Sequence, residues 1–393
     1  MTGATLGADV EPRAGQPSRG RRVQNVDVLR AVAALSVLAV HAYDLGGRIA
    51  PIKARVWYDV PLITLSSGVW LFFGISGYVI SKPFVDRMLA GRPPPAFVPY
   101  ALRRALRIFP LYWIALGAVI AIDGVGATRP WQLIFHVLLL NNLVPGRQEA
   151  LFPVAWTLTL EVLFYVSLPV LVALVQVGKR EMDGDRLARL LLLSWAASIA
   201  FTALGDLKGD DRIGLWLRGS LPAMWQMFCP GILLAIAPHV KMTRLRSLIV
   251  EVPRRRGGLI AAGLTLVAAS ILGSAAPLRF GVVVYQLLVD ASRPLFAVGF
   301  GILIARAIRA PAWRVKWALT LGIASYGIYL LHPVIAALLT REGIAPIPHD
   351  SLPAFLVNAL CLAALTIPLA IASWNWIESP AIRLGRGLGR RWT

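Results

Sequence analysis

The sequence predicts an all-α, polytopic integral membrane protein of about ten transmembrane helices plus one short re-entrant or interfacial helix. Two observations carry that expectation. The 393-residue chain is 57% hydrophobic and only 15% charged, whereas a soluble globule has about a quarter of its residues charged. Its apolar residues also gather into runs near the roughly 20 residues that a helix needs to cross hydrocarbon, and mean hydropathy is +0.66. Net charge is +20, from 40 Lys+Arg against 20 Asp+Glu. That excess does not point to nucleic acid, because the basic residues form short clusters between apolar runs, as cytoplasmic loops do. Cys229 and Cys361 both fall inside apolar stretches, so two buried thiols and no disulfide are expected.

Residues 1–25 are polar, contain Pro, Gly and Arg and lack an apolar signal-peptide segment, which predicts a disordered cytoplasmic tail. Ten runs follow: Val26–Tyr43, Pro61–Ile80, Ile108–Ile122, Val154–Val177, Leu187–Gly205, Ser220–Pro238, Gly258–Ala276, Val282–Ala305, Trp317–Leu339 and Leu352–Trp376. They make residues 26–377 one membrane domain and leave 378–393 as a basic cytoplasmic tail. An eleventh run, Trp131–Leu143, is too short to span and suits a re-entrant or interfacial helix.

Charge asymmetry sets the topology. With the N-terminus inside and ten crossings, 28 of the 40 basic residues lie on the inner side, in clusters such as Lys82–Arg107, Lys241–Arg256 and Arg306–Lys316. A crossing by Trp131–Leu143 would invert every later cluster and remove the bias. Cytoplasmic loops hold the Lys/Arg excess, so both termini are expected inside.

Charge in hydrocarbon is costly, so ionisable residues within spans are candidates for function. Arg30 and His41 are eleven apart in the first span. At about 100° per residue that is about 20° beyond three turns, with a rise near 16 Å. Both therefore lie on one helix face, Arg30 toward the inner surface and His41 toward the outer one. Asp27 shares that face. Under the same topology Glu161 and His332 fall in the outer half, and Asn141 and Asn142 could reach the same zone. His and Glu are side chains that burial tunes toward neutral titration, so this grouping points to proton transfer. At the inner side Arg103, Arg104 and Arg107 gather with Arg30 and Glu378. Guanidinium forks bind phosphate well, and contact with anionic lipid is the alternative. Asp290 and Arg293, three apart, are expected to form an intrahelical pair. His136 is expected to pack. No metal-ligand spacing occurs, and no nucleophile elbow or phosphate-binding loop accompanies a strand–helix pattern.

Six segments, in this order, resemble the acyltransferase-3 family of polytopic membrane O-acyltransferases. They are "VDVLRAVAALSVLAVHAY", "FFGISGYVI", "RRALRIFPLYW", "AWTLTLEVLFY", "ASYGIYLLHP" and "WIESPAIRL", within Val26 to Leu384. The family's basic residue, ten intervening residues and His are matched by Arg30 and His41. Relatives often carry two adjacent acids where this chain has Glu161 and Val162.

The resemblance implies transfer of an acyl group, usually acetyl, from cytoplasmic acyl-coenzyme A as co-substrate. The acceptor would be a hydroxyl of a carbohydrate or other lipid-linked or secreted molecule. His41 would be the base or transient acyl carrier, with Arg30, Arg104 and Arg107 handling the donor. No bound cofactor and no metal are expected, and the chain is expected to be a stand-alone unit of the cytoplasmic membrane without a fused periplasmic hydrolase domain. From the residues alone, a transporter or flippase remains the alternative, with Arg30, Asp290 and Arg293 lining a path. Against it, the two halves of the chain show no repeat.

Overall fold

The computed structural model describes residues 19–45, 59–126, 128–145, 151–177, 182–208, 211–274, 282–313, 315–344 and 352–389. Those residues are overwhelmingly helical and contain no strand. The helices are α1 (Arg19–Leu45), α2 (Asp59–Thr64), α3 (Gly68–Leu89), α4 (Phe97–Asp123), α5 (Pro130–Val137), α6 (Ala155–Val177), α7 (Gly184–Leu207) and α8 (Arg212–Arg218). There follow α9 (Leu221–Ile236), α10 (Thr243–Arg246), α11 (Arg256–Ser274), α12 (Val282–Ala307), α13 (Lys316–Ile323), α14 (Ser325–Arg341), α15 (Leu352–Ser373) and α16 (Ser379–Gly389).

Among the described residues seven helices are long and apolar enough to cross a bilayer, and two bent pairs raise the number to nine. The expected span Trp317–Leu339 is in fact two helices, α13 and α14, bent by 68° at Ala324. The segment that ends in α11 likewise turns by 93° from Thr243–Arg254. α12, at 26 residues, covers the expected Val282–Ala305 run. The Trp131–Leu143 run forms only the 8-residue α5 and a 3-10 turn at Asn141–Leu143, too short to cross. It is tied to α4, where the Tyr112 hydroxyl donates to the His136 carbonyl at 2.6 Å and the Trp113 indole to that of Val137 at 3.0 Å.

α9 is the most enclosed of the candidate spans. It crosses α3 at backbone contact: a Cβ on Gly77 would meet the Phe228 carbonyl, and one on Gly231 would meet the Gly74 carbonyl. Small residues let membrane helices approach this closely, since packing rather than a hydrophobic gradient holds them together. Around this crossing Phe73, Phe164 and Phe228 stack, with ring centroids 4.8 Å (Phe73–Phe228) and 4.2 Å (Phe164–Phe228) apart. A second close approach, of Gly322 on the Asp27 carbonyl, seats α13 against α1.

Both expected tails fold further than the sequence suggests. α1 begins at Arg19, and Asn25 is fully buried. Its amide donates to the carbonyls of Ala307, Ala310 and Pro311, and its oxygen accepts from the Trp313 N–H, which satisfies the orphan carbonyls ending α12. After a π-helical turn at Trp374–Glu378, α16 packs back on α4, with Gly385 and Gly389 against Leu106, Pro99 and Arg103. Cys229 is buried as expected, whereas Cys361 is exposed on α15.

Candidate functional site

Two adjoining cavities run through the helices, and between them they gather most of the ionisable residues singled out above. The smaller, of about 70 Å³, is lined by Arg30 of α1, Ser76 of α3, Arg104 and Arg107 of α4, Glu161 and Tyr165 of α6, and Tyr326 and Tyr329 of α14. The larger, of about 680 Å³, is lined by His41, Trp70, Trp156, Met224, Arg293, Tyr329 and Thr340 among others. Val69 and Tyr329 line both, so they form the partition. The Tyr329 hydroxyl is held 2.6 Å from that of Thr157 on α6.

Arg30 and His41, on one face of α1, each enter a different cavity, in keeping with the axial rise between them. Arg30 pairs with Asp27 at 2.7 Å. Arg104 lies over the rings of Tyr100 and Tyr165, 5.7 Å and 5.3 Å from their centroids, so cation–π attraction fixes its direction. Neither Arg104 nor Arg107 has a hydrogen-bonded acceptor or an ion-pair partner among the described residues. Guanidinium forks with no acceptor of their own have the chemistry to hold an anion. Arg107 is also within electrostatic reach of Arg30 and of Glu378, which is buried and accepts from the Ser373 hydroxyl at 3.0 Å.

Three residues stand apart from where the sequence grouped them. Arg103 is exposed, with its guanidinium against Gly389 of α16, and does not line the anion pocket. Glu161 lines the arginine pocket rather than the His41 cavity, and its Oε1 accepts from the hydroxyls of Ser76 (2.8 Å) and Tyr165. Arg293 lines the His41 cavity and donates to the Arg218 carbonyl at 3.3 Å. Asp290 lies on α12, but its side chain is outside the described residues, and so is the intrahelical pair expected there.

His41 and His332 come together from α1 and α14, with ring centroids 4.7 Å apart. In both rings Nδ1 contacts the carbonyl four residues back, Val37 at 2.9 Å and Ile328 at 3.1 Å. A carbonyl can only accept, so Nδ1 carries a hydrogen in both rings, and Nε2 is the atom at which a proton is gained or lost. Nε2 of His332 is buried without a partner among the described residues. His41 opens to the larger cavity; His332, fully buried, stands behind it. Asn141 and Asn142 reach neither cavity. Asn141 accepts from Thr159 at 2.7 Å, and Asn142 donates to the Trp156 carbonyl at 2.9 Å, which braces α6 beside the larger cavity. No group of three or more metal-ligating side chains occurs among the described residues.

Sequence reasoning missed Ser76, Thr157, Tyr165 and Tyr329. Tyr165 carried a signal, since it follows Glu161 by four residues and so shares its helix face. Ser76 carried none, because its partner is 85 residues away.

The arrangement offers a pocket lined by three guanidinium groups, a larger chamber onto which the His41 imidazole opens, and a partition of Val69 and Tyr329 between them. Comparison with known proteins gives this a chemical frame. The chain is 25% identical over 397 residues to Nodulation protein 10 of Rhizobium leguminosarum bv. viciae, covering 95% of this chain and 97% of that protein. It is 26% identical over 348 residues to Exopolysaccharide production protein ExoZ of Rhizobium meliloti (strain 1021), covering 82% and 90% respectively. No solved structure matches it. The model of the acyltransferase-3 family, described as an acyltransferase domain, matches residues 23–374, and the chain belongs to that family of multi-pass membrane proteins.

Proposed function

We propose that the chain moves an acyl group, in the first instance acetyl, from acyl-coenzyme A to a hydroxyl of a carbohydrate or other cell-envelope or secreted acceptor. The observation that carries this reading is the pair Arg104 and Arg107, acceptor-free among the described residues, in a pocket one side chain away from the His41 chamber. Donor phosphates would engage Arg30, Arg104 and Arg107, and the thioester would reach the partition at Val69 and Tyr329. The larger chamber, with Trp70 and Trp156, would admit the acceptor. Its size suits a sugar, and aromatic faces pack against sugar rings. The name of ExoZ, an exopolysaccharide production protein, supports an acceptor of the cell envelope or its secretions.

In the transfer, the hydroxyl oxygen bonds to the thioester carbonyl carbon as its proton passes to Nε2 of His41. The carbon–sulfur bond then breaks, and the proton goes to the departing thiolate. General base assistance of this kind contributes about 10²–10⁴ in rate. His332 would hold the His41 ring in place from behind. Asp27 would orient Arg30, and Glu378 would balance Arg107. In this reading the chain crosses the cytoplasmic membrane ten times with both termini inside, which brings the arginine pocket to the side where acyl-coenzyme A is found.

The test is transfer of labelled acetyl from acetyl-coenzyme A by the purified, detergent-solubilised protein to oligosaccharide acceptors. Label in an alkali-labile ester on the acceptor supports the reading. No consumption of acetyl-coenzyme A with any acceptor, alongside uptake of an envelope precursor in proteoliposomes, would replace it with a transporter.

A further inference from the structure

Glu161 is anomalous in an anion pocket. It shares the space with Arg30, Arg104 and Arg107, yet it forms no ion pair with any of them among the described residues. Both hydroxyls that bond it, from Ser76 and Tyr165, donate to Oε1. Oε2 has no hydrogen-bond partner among the described residues. A carboxylate oxygen left open in this way accepts from an N–H or O–H donor, not from a phosphate.

Its place along α6 narrows what that donor is. Thr157, Glu161 and Tyr165 follow one another at four-residue intervals on one helix face, each about 6 Å farther along the axis. Thr157 bonds Tyr329 at the partition, and Tyr165 underlies Arg104 at the anion site. Glu161 is therefore midway between the anion site and the reacting centre. The cavity there measures about 70 Å³, against about 680 Å³ beyond the partition.

We propose that Oε2 of Glu161 accepts a hydrogen bond from an amide N–H of the donor's pantetheine arm, and so sets how far the thioester reaches toward His41. This rests on the acyl-coenzyme A reading above. The ligand class it names is a phosphate-bearing thioester on a slim, amide-containing arm. A bare acyl phosphate, which has no N–H to offer, does not meet it. The chemistry of transfer is unchanged, and Glu161 acts by positioning.

S-acetylpantetheine, which has the arm and lacks the nucleotide, is the probe. It is used as a donor or as a competitor of acetyl-coenzyme A. Glu161→Leu is expected to raise KM, or the inhibition constant, about tenfold for acetyl-coenzyme A and by the same factor for S-acetylpantetheine. Glu161→Gln keeps a side-chain oxygen and is expected to recover at least a third of that loss. Arg104→Ala is expected to affect acetyl-coenzyme A far more than S-acetylpantetheine. The proposal is overturned if Glu161→Leu weakens acetyl-coenzyme A alone, which makes the carboxylate part of the phosphate site. It is equally overturned if only acceptor KM changes, or if S-acetylpantetheine fails to compete in the wild type. Absence of any acetyl-coenzyme A turnover in the wild type would instead remove the donor reading itself.

Discussion

Tyr329 and Thr157 close the passage between the two cavities, their hydroxyl oxygens 2.6 Å apart across α14 and α6. The Tyr329 hydroxyl also donates to the Val154 carbonyl at 3.3 Å. Each bond of that kind contributes about 0.5–1.5 kcal/mol net. Tyr329, which lines both cavities together with Val69, is thus held at their boundary by hydrogen bonds and by edge-on packing against Phe72.

His41 gives the most direct prediction. Replacement by Ala or by Gln is expected to abolish acetyl transfer while insertion and expression stay near wild type. Gln can hydrogen-bond but cannot take a proton at neutral pH. Transfer within about tenfold of wild type for His41→Gln, measured by ester formation, contradicts a base role; the general-base contribution at stake is about 10²–10⁴.

For the anion pocket, Arg104→Ala combined with Arg107→Ala should raise KM for acetyl-coenzyme A much more than KM for the acceptor. Charge-assisted contacts are worth about 1.5–3 kcal/mol each. Steady-state kinetics with each substrate varied in turn makes the comparison, and an equal rise in both constants would deny the donor assignment.

Packing offers a prediction independent of function. Gly77→Ala directs a methyl into the Phe228 carbonyl and is expected to cost about 1–3 kcal/mol or more, as overpacking does. Gly117→Ala meets nothing within 4 Å and serves as the control. Thermal unfolding in detergent should show a lower midpoint for the first and none for the second; equal midpoints would mean that α3 and α9 do not cross as described.

Topology is open to cysteine labelling. Single cysteines at Gly126 and Gly146 should react from the same, outer face if Trp131–Leu143 does not cross. Labelling from opposite faces would reverse the side assigned to every later loop.

The face shared by residues of one helix was legible in the sequence, and the depth at which separate helices meet was not. The eleven-residue interval from Arg30 to His41 fixed their shared face because both lie on one helix. Depth along the span suggested that Glu161 would join His41. Glu161 is instead about 6 Å farther along α6 than Thr157 at the partition, beside Ser76 and the arginines, because relative depth depends on how α3, α4 and α6 pack. The bend at Ala324 and the return of α16 onto α4 are likewise tertiary. Continuous hydropathy from Trp317 to Leu339 hides the first, and the second depends on glycines that matter only once α4 is beside them.

The hydrogen on Nδ1 of His41 is held by a main-chain oxygen, that of Val37. No exchange of the Val37 side chain can take that oxygen away, so the orientation of the ring is insulated from point mutation at its partner in a way that a carboxylate-held histidine is not. It is as durable as the α1 helix itself, and only a break in that helix near residue 37 would release it.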